Sequence, residues 1–300
     1  MYNSELIRNL KKQQEVFVSK LLENPKGNIS WLLEQLKIPD NIITICIKAN
    51  LNDYRKWETA STCDPYILDA LLSVLRDRFP HSSIVLLENS STSVNADNIF
   101  AYLGIDVVAN RYNCKCINAT RGEWISVEIN GLHFRSMDIP AVLQEAFFIT
   151  FPKLKSHAIT KLTCGLKNQM GLFRPKRKIV YHHIVHELIV DCNLAMRPML
   201  SLVDANLVME GNYGPTHGSP RKLGLLMASK DVVAADSLCA KFFNFNPNSI
   251  RYIREASKRG LGTTNCEVIA DFNFDISDYK LKFSPLLFYA IRMGAGGIRR

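Results

Sequence analysis

The alternation of short apolar strands with amphipathic helices is the feature that most restricts the fold. The run Ile42–Ile47 is apolar and rich in β-branched residues, which is typical of a strand covered on both faces. A helix predicted to start at Pro65 separates it from a second apolar strand, Ser83–Leu87. The alternation continues along the chain. It predicts an α/β fold, doubly wound, with mostly parallel sheets in two lobes and an inserted β-hairpin.

Four segments are predicted along the 300 residues. They are an N-terminal helical segment over 1–40, a first α/β lobe over 41–145, a second α/β lobe over 146–275, and a C-terminal tail over 276–300. The turn signal Asn130-Gly131 between two apolar runs predicts the hairpin within the first lobe. Two shorter elements are also predicted, a strand over Ile105–Val108 and a helix over Ile159–Leu172.

Positive charge is concentrated in one stretch of the chain. Lys and Arg number 37 against 28 Asp and Glu, a formal net charge of +9, and Phe151–His186 carries eight lysines and arginines with no acidic residue. Because lysines in that stretch alternate with apolar residues, some of them must be partly buried, and a partly buried ammonium needs an anionic partner. The stretch therefore predicts a local anion site, although Arg174–Lys178 alone is typical of a solvated loop.

The predicted site gathers side chains at strand ends, where open α/β sheets bind ligands. Anion binding is assigned to Lys48, Asn50, Lys153, Lys155, Lys167 and Asn168, and to the glycines of a Gly/Pro-rich loop, Gly211, Gly214 and Gly218. Proton transfer is assigned to His157 or His183, because an imidazole titrates near neutral pH, with Asp204 or Glu210 orienting the ring. The alternative for the Gly/Pro loop is a rigid structural connection.

The cysteines and histidines do not predict a metal site. The eight cysteines are scattered through apolar stretches and indicate reduced, mostly buried thiols. Cys114 and Cys116 form a close pair that lacks the second pair of a zinc site. The chain has no iron–sulfur cluster motif, and the HHxxHE run beginning at His182 lacks the HExxH register. No metal is predicted, and the cofactor is left unknown.

Several motifs resemble one family. The runs FPKLKSHAIT, GLKNQMG, YHH, and RPMLSLVDANLVMEGNYGPTHGSP followed by DVVAADSL resemble the domain of unknown function family 362, roughly over Ile42 to Phe272. The chain departs from the family pattern at Ser156 and Ala205. Matching positions are Lys153, Lys155, His157, Lys167, Asn168, Gly171, His183, Asp204, Glu210, Gly211, Gly214, Pro215, Gly218, Asp231 and Asp236, and Lys48-Ala49-Asn50 resembles the family's KPN.

The resemblance implies an intracellular α/β protein. Some members of the family carry ferredoxin-like cluster domains, and none is expected here because the sequence has no cluster motif. The family is distantly similar to the lactate racemase group, whose cleft is lined by lysine and histidine and holds a nickel-pincer cofactor. That similarity is one of fold and transfers no cofactor.

We expect an enzyme that binds a small anionic metabolite, a carboxylate or phosphate, in a cleft between the lobes. The chemistry expected is proton transfer of an isomerase or lyase type, or a reduction fed by a ferredoxin-like partner. The alternatives are a scaffold or redox-partner protein and, less favoured, a nucleic-acid-binding protein. No run of about 18 apolar residues and no signal peptide is visible, so a cytoplasmic location without a membrane partner is expected. The oligomeric state is left open.

Overall fold

The computed structural model describes residues 14–211 and 218–283. Within these ranges ten strands form one sheet and two form a separate hairpin. The strands are β1 (Glu15–Lys20), β2 (Thr44–Ala49), β3 (Ser83–Glu88), β4 (Cys114–Asn118), β5 (Trp124–Glu128), β6 (Ser136–Pro140), β7 (Phe147–Phe151), β8 (Lys153–His157), β9 (Lys161–Thr163), β10 (Leu200–Glu210), β11 (Ser219–Ser229) and β12 (Glu267–Ala270).

The helices begin where the sequence supplies capping groups. Asn24 and Asp64 each accept a backbone N–H from two residues further on, and a proline follows each of them at the first helical position. The helices are α1 (Pro25–Gln35), α2 (Pro65–Arg78), α3 (Ala96–Tyr102), α4 (Ile105–Arg111), α5 (Gly165–Asn168), α6 (Val185–Ala195), α7 (Val232–Phe242) and α8 (Arg251–Lys258). Short 3-10 turns connect them, among them Gln169–Leu172 and Lys178–Ile184.

The main sheet has the order β12-β1-β11-β10-β7-β2-β3-β4. The five strands from β10 to β4 run parallel, whereas β11 is antiparallel to both β10 and β1. Strand β8 leaves this path and pairs with β10 and β9. The chain moves from β2 outward to β3 and β4 and then returns to the other side of β2 with β7, so a topological switch point lies between β2 and β7.

Both faces of the sheet are covered, which explains why the central strands are apolar throughout. In β2, Ile45 and Ile47 pack with helices α1 to α4 on one face, and Cys46 packs on the other face with the hairpin and helices α6 to α8. The predicted doubly wound α/β class is confirmed. The strands of residues 41–145 and 146–275 join in the one sheet, and the predicted domain boundaries stay predictions.

The predicted hairpin is present, with a different connection. Strands β5 and β6 pair from Trp124↔Pro140 to Glu128↔Ser136, so the residues between them form a longer loop than a two-residue turn at Asn130-Gly131. The reason is Asp191, whose carboxylate accepts the backbone N–H groups of residues 132–134 at 2.5–2.9 Å. These N–H groups therefore cannot form the backbone hydrogen bonds that would extend β5 and β6 toward the turn.

Three predicted elements are wrong. Residues 1–13 lie outside the described ranges, but Glu15–Lys20 is a strand, since its apolar residues alternate between the two cores. Ile105–Val108 belongs to a helix, which starts after Gly104 at φ 67°, a left-handed conformation that glycine adopts without strain. The stretch Ile159–Leu172 divides into β9, α5 and a 3-10 turn rather than one helix. Most of the predicted C-terminal tail, residues 284–300, lies outside the described ranges.

Candidate functional site

A cavity of about 700 Å³ lies at the carboxyl ends of β2 and β3, beside the topological switch point. Its polar lining comes from the ends of these strands, from the turn after β8, and from α5 and the segment that follows it. The polar and charged residues are Lys48, Asn50, Asn52, Glu88, Asn89, Ser91, Thr92, Ser93, His157, Thr163, Lys167, Asn168, Lys176, Arg177, Lys178 and His182. Residues of both predicted α/β segments therefore meet here.

Asn168 fixes the short helix α5 across the carboxyl ends of β2 and β7. Its side-chain amide donates to the Lys48 carbonyl at 2.8 Å and to the Thr150 hydroxyl at 2.9 Å, and its oxygen accepts from Asn50 at 3.2 Å. Because the side chain is buried, each of these bonds satisfies a group that water cannot reach. This network positions Lys167, the neighbouring residue, at the cavity.

Lys48 and Glu88 form a buried ion pair between neighbouring strands. Lys48 Nζ lies 2.7 Å from Glu88 Oε2 and also donates to the Ala49 carbonyl at 2.6 Å. Gly171 closes over this pair, since a Cβ there would lie 2.8 Å from Lys48 Cε. The charge of Lys48 is thus already balanced inside the protein.

Lys167 presents the cavity with an ammonium that has no hydrogen bond or ion pair within residues 14–211 and 218–283. The side chain is half-buried, and burial lowers its pKa to about 8. A cation in this position is stabilised by an anion that enters the cavity.

His157 is buried at the cavity wall in one defined tautomer. Its Nδ1 faces the backbone N–H groups of Ile159 at 3.2 Å and Thr160 at 3.3 Å, so Nδ1 accepts and the neutral ring carries its hydrogen on Nε2. Burial lowers the pKa of His157 well below its ordinary value, and Lys167 and Lys155 lower it further. At neutral pH this histidine is a hydrogen-bond donor rather than a base.

Several lining residues were not predicted as site residues, among them Glu88, Lys178 and His182. Lys178 Nζ donates to the Gly171 carbonyl at 2.5 Å, and burial lowers its pKa to about 8. His182 is exposed at the cavity, and the pKa of its ring is lowered by partial burial and by Lys167. For Glu88 the available signal was its place at the end of the second apolar strand, beside the polar run Asn89-Ser90-Ser91.

Lys155 lies behind the cavity wall and is fully buried. Its ammonium donates to Asn50 Oδ1 at 2.8 Å and to the Ser61 carbonyl at 2.7 Å. Burial, together with Lys167, lowers its pKa to about 7. It supports Asn50 from behind and does not line the cavity.

Lys153 and Asp204 form a second buried ion pair, outside the cavity lining. The two side chains are both 0% exposed, with Nζ 2.9 Å from Oδ2, and the same oxygen accepts the Asp64 backbone N–H at 2.8 Å. The pair follows from the sheet register, because β8 and β10 place Lys153 directly opposite Asp204.

The remaining predicted site residues within the described ranges lie away from the cavity lining. Glu210 and Gly211, at the far end of β10, bind the backbone of Lys282, and Gly218 packs against Glu210. Gly214 and Pro215 lie outside the described residues. The ring of His183 is exposed, with Nδ1 2.9 Å from the Val180 carbonyl.

Asp231 and Asp236, which match the family pattern, act within the fold. Asp231 caps α7 by accepting the Ala234 N–H at 2.9 Å. Asp236 accepts the Leu166 N–H at 3.1 Å, and burial raises its pKa to about 7. Both carboxylates thus hold α7 and α5 in position.

Within the described ranges, no group of three or more His, Cys, Asp or Glu side chains is arranged to hold a metal ion. The cysteines there are free thiols, and burial raises the pKa of Cys114 and of Cys116 to about 12. These thiols are therefore poor ligands and poor nucleophiles at neutral pH. The same part of the chain contains no helix long and apolar enough to cross a membrane.

Comparison with known proteins agrees with the sequence resemblance. A family model described as domain of unknown function (DUF362) matches residues 45–241. The thylakoid-associated protein sll1697 of Synechocystis is 37% identical over 127 residues, which are 40% of this chain and 39% of that protein. The lactate racemase apoprotein from Thermoanaerobacterium thermosaccharolyticum aligns with a TM-score of 0.51 and 11% identity over 78% of this chain and 58% of that one. The structural likeness shows the fold, and this chain spans less than two thirds of either protein.

Proposed function

This chain belongs to the family described as domain of unknown function (DUF362), and since that description assigns no activity, we propose a function from the cavity. The protein is an enzyme that binds a small anionic metabolite at the carboxyl ends of β2 and β3 and transfers a proton on it. The enzyme-like α/β fold that it shares with lactate racemase apoprotein is consistent with this proposal.

One observation carries the proposal, the unpartnered ammonium of Lys167 in a cavity of about 700 Å³. The other buried lysines of the region are already satisfied, Lys48 by Glu88 and Lys155 by Asn50 and the Ser61 carbonyl. A half-buried cation without a partner is costly unless a ligand supplies the opposite charge. A carboxylate or phosphate group bound at Lys167 removes that cost.

The histidines at the cavity supply complementary proton chemistry. Partial burial and Lys167 lower the pKa of His182 from its ordinary value, which favours the neutral ring, and a neutral ring can accept a proton from a carbon or oxygen of the ligand. His157, with its hydrogen on Nε2, can donate a hydrogen bond to an oxygen on which negative charge develops. The bond to hydrogen on the ligand breaks, His182 holds the proton, and the proton returns to the same or a neighbouring atom.

The test of binding is calorimetric titration of carboxylates and inorganic phosphate into wild type, Lys167→Met and Lys258→Met. Lys258 is an exposed lysine on α8, so its variant controls for the loss of one positive charge. We expect binding to weaken at least tenfold in Lys167→Met only, and to weaken in wild type as the pH rises through about 8, where Lys167 loses its proton. Equal binding by all three proteins overturns the proposal.

The test of catalysis is exchange of ligand hydrogens with deuterium oxide, followed by NMR on 2-hydroxy and 2-oxo carboxylic acids. We expect exchange that His182→Gln abolishes while anion binding is retained. If the protein binds these acids but exchanges the hydrogens of none of them, the scaffold alternative is favoured. The cytoplasmic location and the ferredoxin-like partner stay predictions, and the description "thylakoid-associated" of the cyanobacterial relative suggests testing membrane fractions as well.

A further inference from the structure

Large apolar side chains stand exposed at the mouth of this cationic cavity. Ile159 is 39% exposed and Ile179 is 66% exposed, and both line the cavity, while Val180 beside Ile179 is 47% exposed. Isolated exposed apolar residues are ordinary, but two that line one opening, with a third next to them in sequence, form an apolar patch, and such patches mark binding surfaces.

The apolar character continues inside the cavity. Leu51, Val94, Ala158 and Met170 also line it, so the ammonium of Lys167 shares the space with an apolar wall. The volume of about 700 Å³ lies within the range of pockets that enclose drug-sized ligands. Since a water molecule takes up roughly 30 Å³ of liquid, an acid of two or three carbon atoms leaves most of this space unfilled.

The charges favour a headgroup with a single negative charge. Glu88 already neutralises Lys48, and Lys178 donates to the Gly171 carbonyl, which leaves Lys167 as the interior cation without a partner among the described residues. The further cations Lys176 and Arg177 are exposed at the rim, so a headgroup held inside the cavity meets the Lys167 ammonium and the Nε2–H of His157, which are fewer donors than a dianionic phosphate needs. A carboxylate, with one charge and two acceptor oxygens, matches them.

We propose that the ligand of this cavity is an amphipathic carboxylic acid, whose carboxylate binds Lys167 and whose chain or ring of about six or more carbon atoms covers Ile159 and Ile179. This inference rests on the proposed function and narrows its substrate class from small anions to acids with an apolar body. It also gives the exposed residues at the mouth a role, since burying them against the ligand contributes to affinity.

The experiment is a calorimetric titration of acetate, butyrate, hexanoate and octanoate, with 1-octanol and octyl phosphate as comparison ligands. Full burial of one methylene is worth about 0.8 kcal/mol, or roughly fourfold in affinity, so we expect a gain of about two- to fourfold for each methylene up to octanoate. Octanoate is expected to bind more tightly than octanol, because octanol cannot pair with Lys167, and more tightly than octyl phosphate.

Variants separate the contributions of the apolar body and the headgroup. Ile179→Ser is expected to reduce the gain per methylene and leave acetate binding unchanged. Its matched control is Ile43→Ser, because Ile43 is 84% exposed and precedes β2 at the end of the strand opposite the cavity. Lys167→Met is expected to weaken every acid by a similar factor and keep the gain per methylene. Circular dichroism checks that each variant is folded.

The outcomes distinguish this inference from the proposed function. Equal affinity for acetate and octanoate, or tighter binding of octyl phosphate than of octanoate, overturns the amphipathic acid but leaves an anion-binding enzyme. A gain per methylene that persists in Ile179→Ser overturns the assignment of the apolar body to the mouth. Octanol binding as tightly as octanoate, with no effect of Lys167→Met, overturns both.

Discussion

Lys153 and Lys167 belong to the same basic stretch but occupy opposite environments. Lys153 is fully buried and paired with Asp204 at 2.9 Å, whereas Lys167 is half-buried with no partner among the described residues. The pairing of β8 with β10 brings a carboxylate to Lys153. Lys167 lies on a short helix across strand ends, where no carboxylate of the described residues is within ion-pair distance, and Glu88, which lines the same cavity, is already paired with Lys48. The two lysines carry the same charge, but Lys153 stabilises the fold and Lys167 is available to a ligand.

The largest expected effect is that of Lys153→Met. It leaves the Asp204 carboxylate buried without its cation, and breaking a buried ion pair costs about 3–5 kcal/mol. By contrast, Lys167→Met removes a desolvated cation without a protein partner and is expected to leave the free energy of unfolding at pH 7 unchanged or to raise it. Denaturant unfolding at pH 7 measures both.

The double variant Lys153→Met with Asp204→Leu sharpens this comparison. It removes the uncompensated charge, so it is expected to be less destabilised than Lys153→Met alone. Similar losses for Lys153→Met and Lys167→Met would show that the two lysines are not divided between structural and ligand-binding roles.

Asn168→Ala is expected to have an intermediate effect, because Asn168 connects the two regions. The variant leaves the Lys48 carbonyl, the Thr150 hydroxyl and the Asn50 amide short of a buried partner, which costs about 1–3 kcal/mol. Ligand binding at Lys167 is expected to weaken as well. Asn98→Ala, at an exposed position of α3, is the matched control and is expected to be near neutral. A neutral Asn168→Ala would contradict the positioning of α5 by this network.

The third prediction concerns pH. Burial lowers the pKa of Lys167 to about 8 from its ordinary value of 10.5, so between these values the unfolded chain binds more protons than the folded protein. Stability from this group therefore rises with pH across that window, and Lys155, with a pKa of about 7, acts in the same direction from a lower pH.

This pH dependence is measured as the difference in the free energy of unfolding between wild type and Lys167→Met. Buried thiols such as Cys63, whose pKa burial raises to about 12, oppose the rise once free thiols ionise in the unfolded chain. The free energy of unfolding of wild type minus that of Lys167→Met is therefore compared between pH 7 and pH 10. We expect this difference to increase with pH, and a constant difference would show that Lys167 is not desolvated.

The smallest effect is expected at the rim. Lys176 is exposed at the mouth of the cavity, and Lys176→Ser is expected to alter the free energy of unfolding by at most about 0.5 kcal/mol. Anion binding is expected to weaken a few-fold at low ionic strength and to return to the wild-type value at high salt, because exposed charges are screened. A salt-independent loss would place Lys176 among the direct ligands.

The part of the site that sequence could predict is the part fixed by strand ends. Lys48 and Asn50 follow an apolar strand whose neighbour is also recognisable, so their convergence follows from the βαβ rule. The sequence could not show that Lys153 and Asp204 pair with each other and do not bind a ligand, because that pairing depends on the register between β8 and β10. Nor could it show the role of His157, which is set by a turn that directs two backbone N–H groups at its ring.

The strand β1 shows a second kind of limit. Its apolar residues are compatible with either a helix or a strand when they are considered alone. The partners that make it a strand, β11 and β12, lie more than 200 residues further along the chain. A local sequence pattern cannot show pairing with residues so far along the chain. By contrast, β2 and β3 are separated by one α-helix, and both are predicted correctly from sequence.

The position of β1 between β11 and β12 also sets the order in which the chain can be completed. Ser19 hydrogen-bonds Asp271 across a separation of 252 residues, so this part of the sheet closes only after Asp271 has been synthesised. At a synthesis rate of about 5–20 residues per second, β1 leaves the ribosome roughly 10–50 seconds before its last partner. The central parallel strands can assemble during that delay. The first strand of the described residues is therefore among the last to be inserted into the sheet, and its unpaired edges need protection from other chains during synthesis.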